Sequence, residues 1–174
     1  MASLQPTLDS WIVRVMQRGW TWYAKYLSAH DTCAIASEQD AGPLLSPEVF
    51  RRAFPRLAGR AGHEIDPSVL LPVRIASHGL DQAVRLVSHY ATQSVNRAIG
   101  HDEALLTDWG GRDHPMVDES ATGSLVLFAF NQPDSFEDAV GCEIWIASSP
   151  EEEDALLAIV GPLDPGAGVL LAKL

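Results

Sequence analysis

Ser124-Leu125-Val126-Leu127-Phe128-Ala129-Phe130 is an unbroken apolar run set between Gly123 and Asn131-Gln132-Pro133. Its shortness, its Val and Phe content and its flanking turn residues make it a central strand rather than a helix. Residues 142–147, Cys142-Glu143-Ile144-Trp145-Ile146-Ala147, form a second such strand. Ser149-Pro150-Glu151-Glu152-Glu153 then starts a helix whose carboxylates sit on the positive end of its dipole. These acids read as a capped helix start, not as a metal site. Residues 169–174 can supply a last strand.

Working back toward the N-terminus, Leu105-Leu106-Thr107-Asp108-Trp109 is a short strand that stops at Gly110-Gly111. Residues 69–78 and 83–90 are strands, with Arg74 and Arg85 pointing outward. Ser46-Pro47-Glu48 caps and opens a helix running through Phe50 to Phe54, which Pro55 ends. Residues 20–28 are aromatic and strand-like, with Lys25 near one end. Residues 7–20 form an amphipathic helix in which Trp11, Ile12, Val15 and Met16 follow helical spacing and Gly19 stops it. Six or seven short strands with about three helices, unevenly spaced, predict a mainly β fold with flanking helices: a curled sheet or open barrel in one domain over residues 1–174.

Two polar, irregular segments interrupt this pattern, residues 29–43 and 91–103, and both are long for idle connections. The composition is compatible with a packed core, since 47% of the chain is hydrophobic. No apolar run approaches the ~20 residues that span a bilayer, and the N-terminus lacks the pattern of a signal peptide. Cys33 and Cys142 match no metal or redox spacing and read as buried, reduced thiols, which suits a cytoplasmic protein.

The formal net charge is −11, but it is unevenly spread. Residues 1–112 hold 11 Lys/Arg and 11 Asp/Glu, whereas residues 113–174 hold 1 and 12. Screening limits the reach of a surface charge to about 8 Å at physiological salt, so the acidic third does not exclude a nucleic-acid partner. It confines any DNA face to the first two-thirds of the chain.

Catalytic patterns find no support. A restriction-type nuclease centre needs a lysine two residues beyond a metal-binding carboxylate. The two lysines, Lys25 and Lys173, follow Tyr23 and Leu171 at that spacing. No P-loop, GxSxG or HExxH motif occurs. His101-Asp102-Glu103 with Asp113-His114 fits no known ligand spacing, and nothing near Cys33 in the sequence would activate a thiol. Recognition fits better: Gln39, Gln93, Asn96 and Arg97 are residue types that make bidentate contacts with base edges, and Lys25, Arg74, Arg85 and Arg112 suit phosphates.

Seven blocks in order resemble the N-terminal effector-binding domain of EcoRII-like type IIE restriction endonucleases. They are Tyr23-Ala24-Lys25-Tyr26-Leu27-Ser28-Ala29-His30-Asp31-Thr32, Leu45-Ser46-Pro47 leading to Phe54-Pro55, Asp66-Pro67-Ser68-Val69-Leu70-Leu71, and Ala76-Ser77-His78. They continue with Leu106-Thr107-Asp108-Trp109-Gly110, residues 121–130, and residues 144–154. The resemblance implies a B3-like DNA-binding pseudobarrel, a seven-stranded open barrel with flanking helices. Two arms, at about residues 29–42 and 91–104, would enter the major groove like a wrench and hold 5′-CCWGG duplex DNA.

The DNA-contacting set implied in this way is Lys25, His30, Thr32, Glu38, Gln39, Gln93, Ser94, Asn96, Arg97, His101, Glu103 and Arg112. Lys25 and Gln39 stand where the family has the same residues, whereas Glu38 replaces a histidine and the second arm has lost most of its basic run. The resemblance also implies an allosteric role, with the domain sensing a second DNA site for a C-terminal nuclease domain, EcoRII-like or MvaI-like, that this chain lacks. The chain would then be no enzyme itself and need no cofactor. Mg2+ would belong to the nuclease domain, and the parent would be a bacterial cytoplasmic protein. The rival reading is a protein-interaction or DNA-mimic module working through its acidic third, with vestigial arms.

Overall fold

The computed structural model describes residues 6–60, 67–89, 103–164 and 168–171. The apolar run from Leu125 to Phe130 lies in strand β6 (Leu125–Asn131), which is central. It pairs antiparallel with β1 (Thr21–Tyr26) on one side and with β7 (Gly141–Ile146) on the other. β3 (Ser68–Ile75), β4 (Leu80–His89), β5 (Glu103–Thr107), the two-residue β2 (Leu44–Leu45) and β8 (Val169–Leu171) complete one sheet in the order β2-β5-β4-β3-β7-β6-β1-β8. Of the strand pairs, β3–β7 is parallel and the others are antiparallel. Among the described residues the sheet curls into an open half-barrel, with seven strands of three residues or more and β2 as a short eighth.

Why β6 is apolar from Leu125 to Phe130 follows from what covers it. Val126, Phe128 and Phe130 point into the barrel, where they meet Val73, Ile75, Val84, Leu86 and Leu106 from neighbouring strands. Helices α2 (Pro47–Ala53) and α3 (Pro55–Arg60) fill the same space with Phe50, Phe54 and Leu57. Phe54 meets Phe130 edge-on at 5.5 Å, and Tyr23 stacks on Phe128 at 5.7 Å. Leu125, Leu127 and Ala129 point the other way, beneath helices α1 (Leu8–Gln17) and α4 (Pro150–Val160). Both faces of this strand are therefore dry, which is what an unbroken apolar run requires.

Helix α1 buries Leu8, Trp11, Ile12 and Val15, the i, i+3, i+4, i+7 stripe of an amphipathic helix. Thr7 caps it, and Gly19 at φ +62° lets the chain turn into β1. Trp11 packs on Trp145 at 5.5 Å, and its Nε1 donates to Glu143 at 2.8 Å, where Arg14 also lands at 2.6 Å. Ser149 caps α4 and Ser46 caps α2, each with Pro at the helix start as the sequence suggests.

Among the described residues there are four α-helices and a short 3-10 turn, Glu119–Ala121. Pro55 ends α2, as expected, but it also opens α3. A proline lacks the amide that a helix's first turn leaves unpaired, so it is suited to both places. The next two amides, of Arg56 and Leu57, donate to the Asp138 carboxylate at 2.8 and 3.3 Å. That cap comes from the β6–β7 connection, far along the chain. Both cysteines are free and buried. No helix among the described residues is long and apolar enough to cross a membrane.

Candidate nucleic-acid interface

The first arm leaves β1 after Tyr26 and returns at β2, so it spans residues 27–43. A single carboxylate ties its two ends together. Asp31, whose side chain is 1% exposed, accepts from Ser28 N at 2.7 Å and Ser28 Oγ at 2.9 Å through Oδ2. Its Oδ1 accepts from Leu44 N at 3.1 Å and from Lys25 Nζ at 2.9 Å. Lys25 Nζ also donates to Leu44 O at 3.3 Å. Lys25 shares the strand face of Tyr23, so its ammonium lies at the barrel mouth rather than on the outer surface. Burial pushes the Tyr23 phenol well above its usual range, and the Asp31 carboxylate adds to that.

Further along the arm, Thr32 is fully buried and its hydroxyl bonds that of Thr122 at 2.7 Å. Cys33 N donates to Val117 O at 2.7 Å. The side chains of Ala34, Ile35, Ser37, Glu38, Gln39 and Asp40 are exposed, and so is that of His30. The arm is held down again where Thr107 Oγ1 donates to Gln39 O at 2.8 Å. Glu38 faces Arg112 at 3.8 Å, with both side chains more than half exposed. Arg85, on the outer face of β4, reaches Asp108 at 3.3 Å. Thr107 sits opposite Arg85 in the β4–β5 register.

The second arm grows from the β4–β5 hairpin. Its last described rung pairs His89 with Glu103, and Gln93, Ser94, Asn96, Arg97 and His101 lie outside the described residues. The two arms leave a single pair of edge strands from its opposite ends. β2, the exit of the first, pairs with β5, the exit of the second, through Leu44↔Leu105 and Leu45↔Ala104. Of the residues singled out from the sequence, Glu38, Gln39 and Arg112 come together on this rim, and His30 is exposed nearby in the chain. Thr32 instead belongs to the arm's internal packing, and Lys25 to the ion pair beneath it. Asp31, the organiser of the root, was missed. The Ser28-x-x-Asp31 spacing is a visible turn signal, but the Leu44 and Lys25 contacts are not local.

Among the described residues, no three His, Cys, Asp or Glu side chains gather as a metal site. His101 and Asp102, part of the cluster weighed for a metal, lie outside that set. His114 packs against Trp109 at 5.3 Å and accepts from Met116 N at Nδ1, 3.2 Å away. The proton is therefore on Nε2, which is buried and finds no partner among the described residues. Burial, with His78 adding to it, lowers the His114 pKa. A histidine whose folded pKa lies below its unfolded value of about 6.5 takes up protons preferentially when unfolded, so stability falls as pH drops through that value. The wild type should lose stability relative to His114→Phe between about pH 7.5 and 5.5, read by urea midpoints. An equal gap between the two proteins at both pH values would refute this.

The described geometry is an open half-barrel with a polar, firmly anchored segment, residues 27–43, at its rim. The chain belongs to the family described as restriction endonuclease EcoRII, N-terminal, whose family model matches residues 16–173. One relative is the type II restriction enzyme EcoRII of Escherichia coli, 26% identical over 164 residues. The aligned part covers 94% of this chain and 39% of that enzyme, so the chain spans well under half its relative's length. A solved structure of similar fold is the B3 domain of UbaLAI restriction endonuclease, a triple mutant crystallised with cognate DNA. It shares 12% identity at a TM-score of 0.58, over 95% of this chain and 98% of that one, and shows the likeness of fold.

Proposed function

We propose that this domain binds duplex DNA in the major groove with its two arms, and serves as the effector domain of a type IIE restriction enzyme. The observation that carries the reading is the antiparallel β2–β5 pairing, which sends the two arms off opposite ends of one edge of the sheet, as the two jaws of a grip. A groove about 12 Å wide accepts such paired projections, and side chains beyond the roots can reach base edges. Family membership and the likeness to a B3 domain solved with cognate DNA support it. Arg85 and Arg112 lie by the first arm with exposed side chains, suited to the adjacent phosphates.

The acidic excess has a different use. Within residues 113–174, Asp118, Asp134, Glu137, Asp138, Glu143, Glu152 and Glu153 all accept hydrogen bonds from this chain. Acids spent on caps and indole nitrogens favour a structural role for that charge over a DNA-mimic surface. The expected target is 5′-CCWGG, and occupancy would be relayed to a nuclease domain of the parent protein as a coupling of about 1–3 kcal/mol. No step of binding uses a metal, so a chelator should leave it unchanged. At about 150 mM salt the purified domain should prefer a CCWGG duplex over a scrambled one by at least ~1,000-fold. Equal affinities would overturn the specific reading, and no binding to either duplex at low salt would overturn the DNA reading.

A further inference from the structure

We propose that Asp31 is the positioning residue of the first arm, and that Lys25 serves this carboxylate rather than a DNA phosphate. The inference rests on the DNA-binding reading and names how one arm of that interface is held. A carboxylate withdrawn from water is costly unless charge and hydrogen bonds replace its hydration. Asp31 has both: one ammonium and three further donors, two from Ser28 and one from Leu44. These partners come from three places, namely the end of β1, the entry of the arm and its exit. The Lys25 ammonium repeats the link by donating to Leu44 O.

The consequence is geometric. Leu44 is the first residue of β2 and pairs with Leu105 of β5, the strand that begins at Glu103, where the second arm returns to the sheet. A pair that locks Leu44 at both its N–H and its C=O sets the register between the arms. Closing a loop does not by itself require buried ions, since an apolar pair of similar volume commonly stabilises as well. Four directed bonds, however, specify one position where apolar contacts would allow several. The Lys25 side chain is 14% exposed, which leaves little of its ammonium for a phosphate.

Two variants separate this from the alternatives. Asp31→Asn keeps the shape but loses the charge, and Lys25→Met combined with Asp31→Leu replaces the pair by apolar side chains and guards against misfolding. Each is measured for affinity to a CCWGG duplex and to a scrambled duplex over a salt series, and for amide exchange at Ser28 and Leu44. Loss of arm register is equivalent to misplacing at least one base contact, so target affinity should fall about tenfold or more in each. Affinity for the scrambled duplex and the salt slope should stay as in the wild type, and the two amides should exchange faster in Asp31→Asn.

A lysine that held a phosphate would instead reduce the slope of log K against log salt by about 0.9 on both duplexes in the double variant, and that result would overturn the proposal. Wild-type target affinity in a folded Asp31→Asn would overturn it too. If the wild type binds no duplex, the functional reading fails by itself. The exchange rates then still decide whether Asp31 holds the arm: unchanged protection at Leu44 rejects it.

Discussion

Replacing Phe128 by alanine should lower the unfolding free energy by about 3–5 kcal/mol, a large share of the ~5–15 kcal/mol available to a domain. The side chain is fully buried on the inner face of β6, the strand paired on both edges. Its ring stacks on Tyr23 and on Phe130, at 5.7 and 6.3 Å. Truncation therefore removes the transfer energy of an aromatic ring and leaves a void bounded by strands that cannot close in. Urea denaturation followed by tryptophan fluorescence measures the change. A loss under about 1 kcal/mol would mean the site collapses readily and that this strand is not the centre of the core.

The second large effect is expected at Gly42. A Cβ placed there would lie 1.7 Å from Leu106 O and 3.0 Å from Trp109 Nε1. That oxygen is not free to move, since it accepts from the Trp109 indole at 2.8 Å, while Leu106 N donates to Pro43 O at 3.1 Å. Gly42→Ala must push the first arm off β5 and open the Leu44↔Leu105 rung. The expected cost is at least about 2–3 kcal/mol, through backbone strain and lost ladder bonds. Specific DNA binding should disappear while the Phe128 core stays packed, as judged by near-UV circular dichroism. A variant that binds the CCWGG duplex as the wild type does would show that the arms need no fixed relation to each other.

Gly42 and Asp31 also mark how far the candidate site was legible. The two irregular segments, their flanking strands and the exposed polar residues Glu38, Gln39 and Arg112 are local features, and all were visible as composition. The close approach at Gly42 and the partners of Ser28 were not, because Leu106 and Asp31 meet them only in the fold. Lys25 illustrates the gap: at the end of a strand it reads as a phosphate ligand, yet in the fold Asp31 and Leu44 take its hydrogen bonds. Thr32 looks like an arm residue open to solvent, but it is buried against Thr122, 90 positions away.

What the amino-acid order determined by itself is the set of elements. Runs such as 124–130, the Ser-Pro-Glu helix starts at 46 and 149, and the stripe of α1 follow from side-chain size, capping and periodicity within a few residues. The tertiary structure alone decided that Pro55 would open a helix as well as end one, because its cap is Asp138. It alone made Leu44-Leu45 a strand, because β5 offers the partner, and set the two arm roots at opposite ends of that pair. The physical reason is common to these cases. Each depends on a hydrogen bond or contact between groups distant in the chain, whose pairing no local propensity encodes.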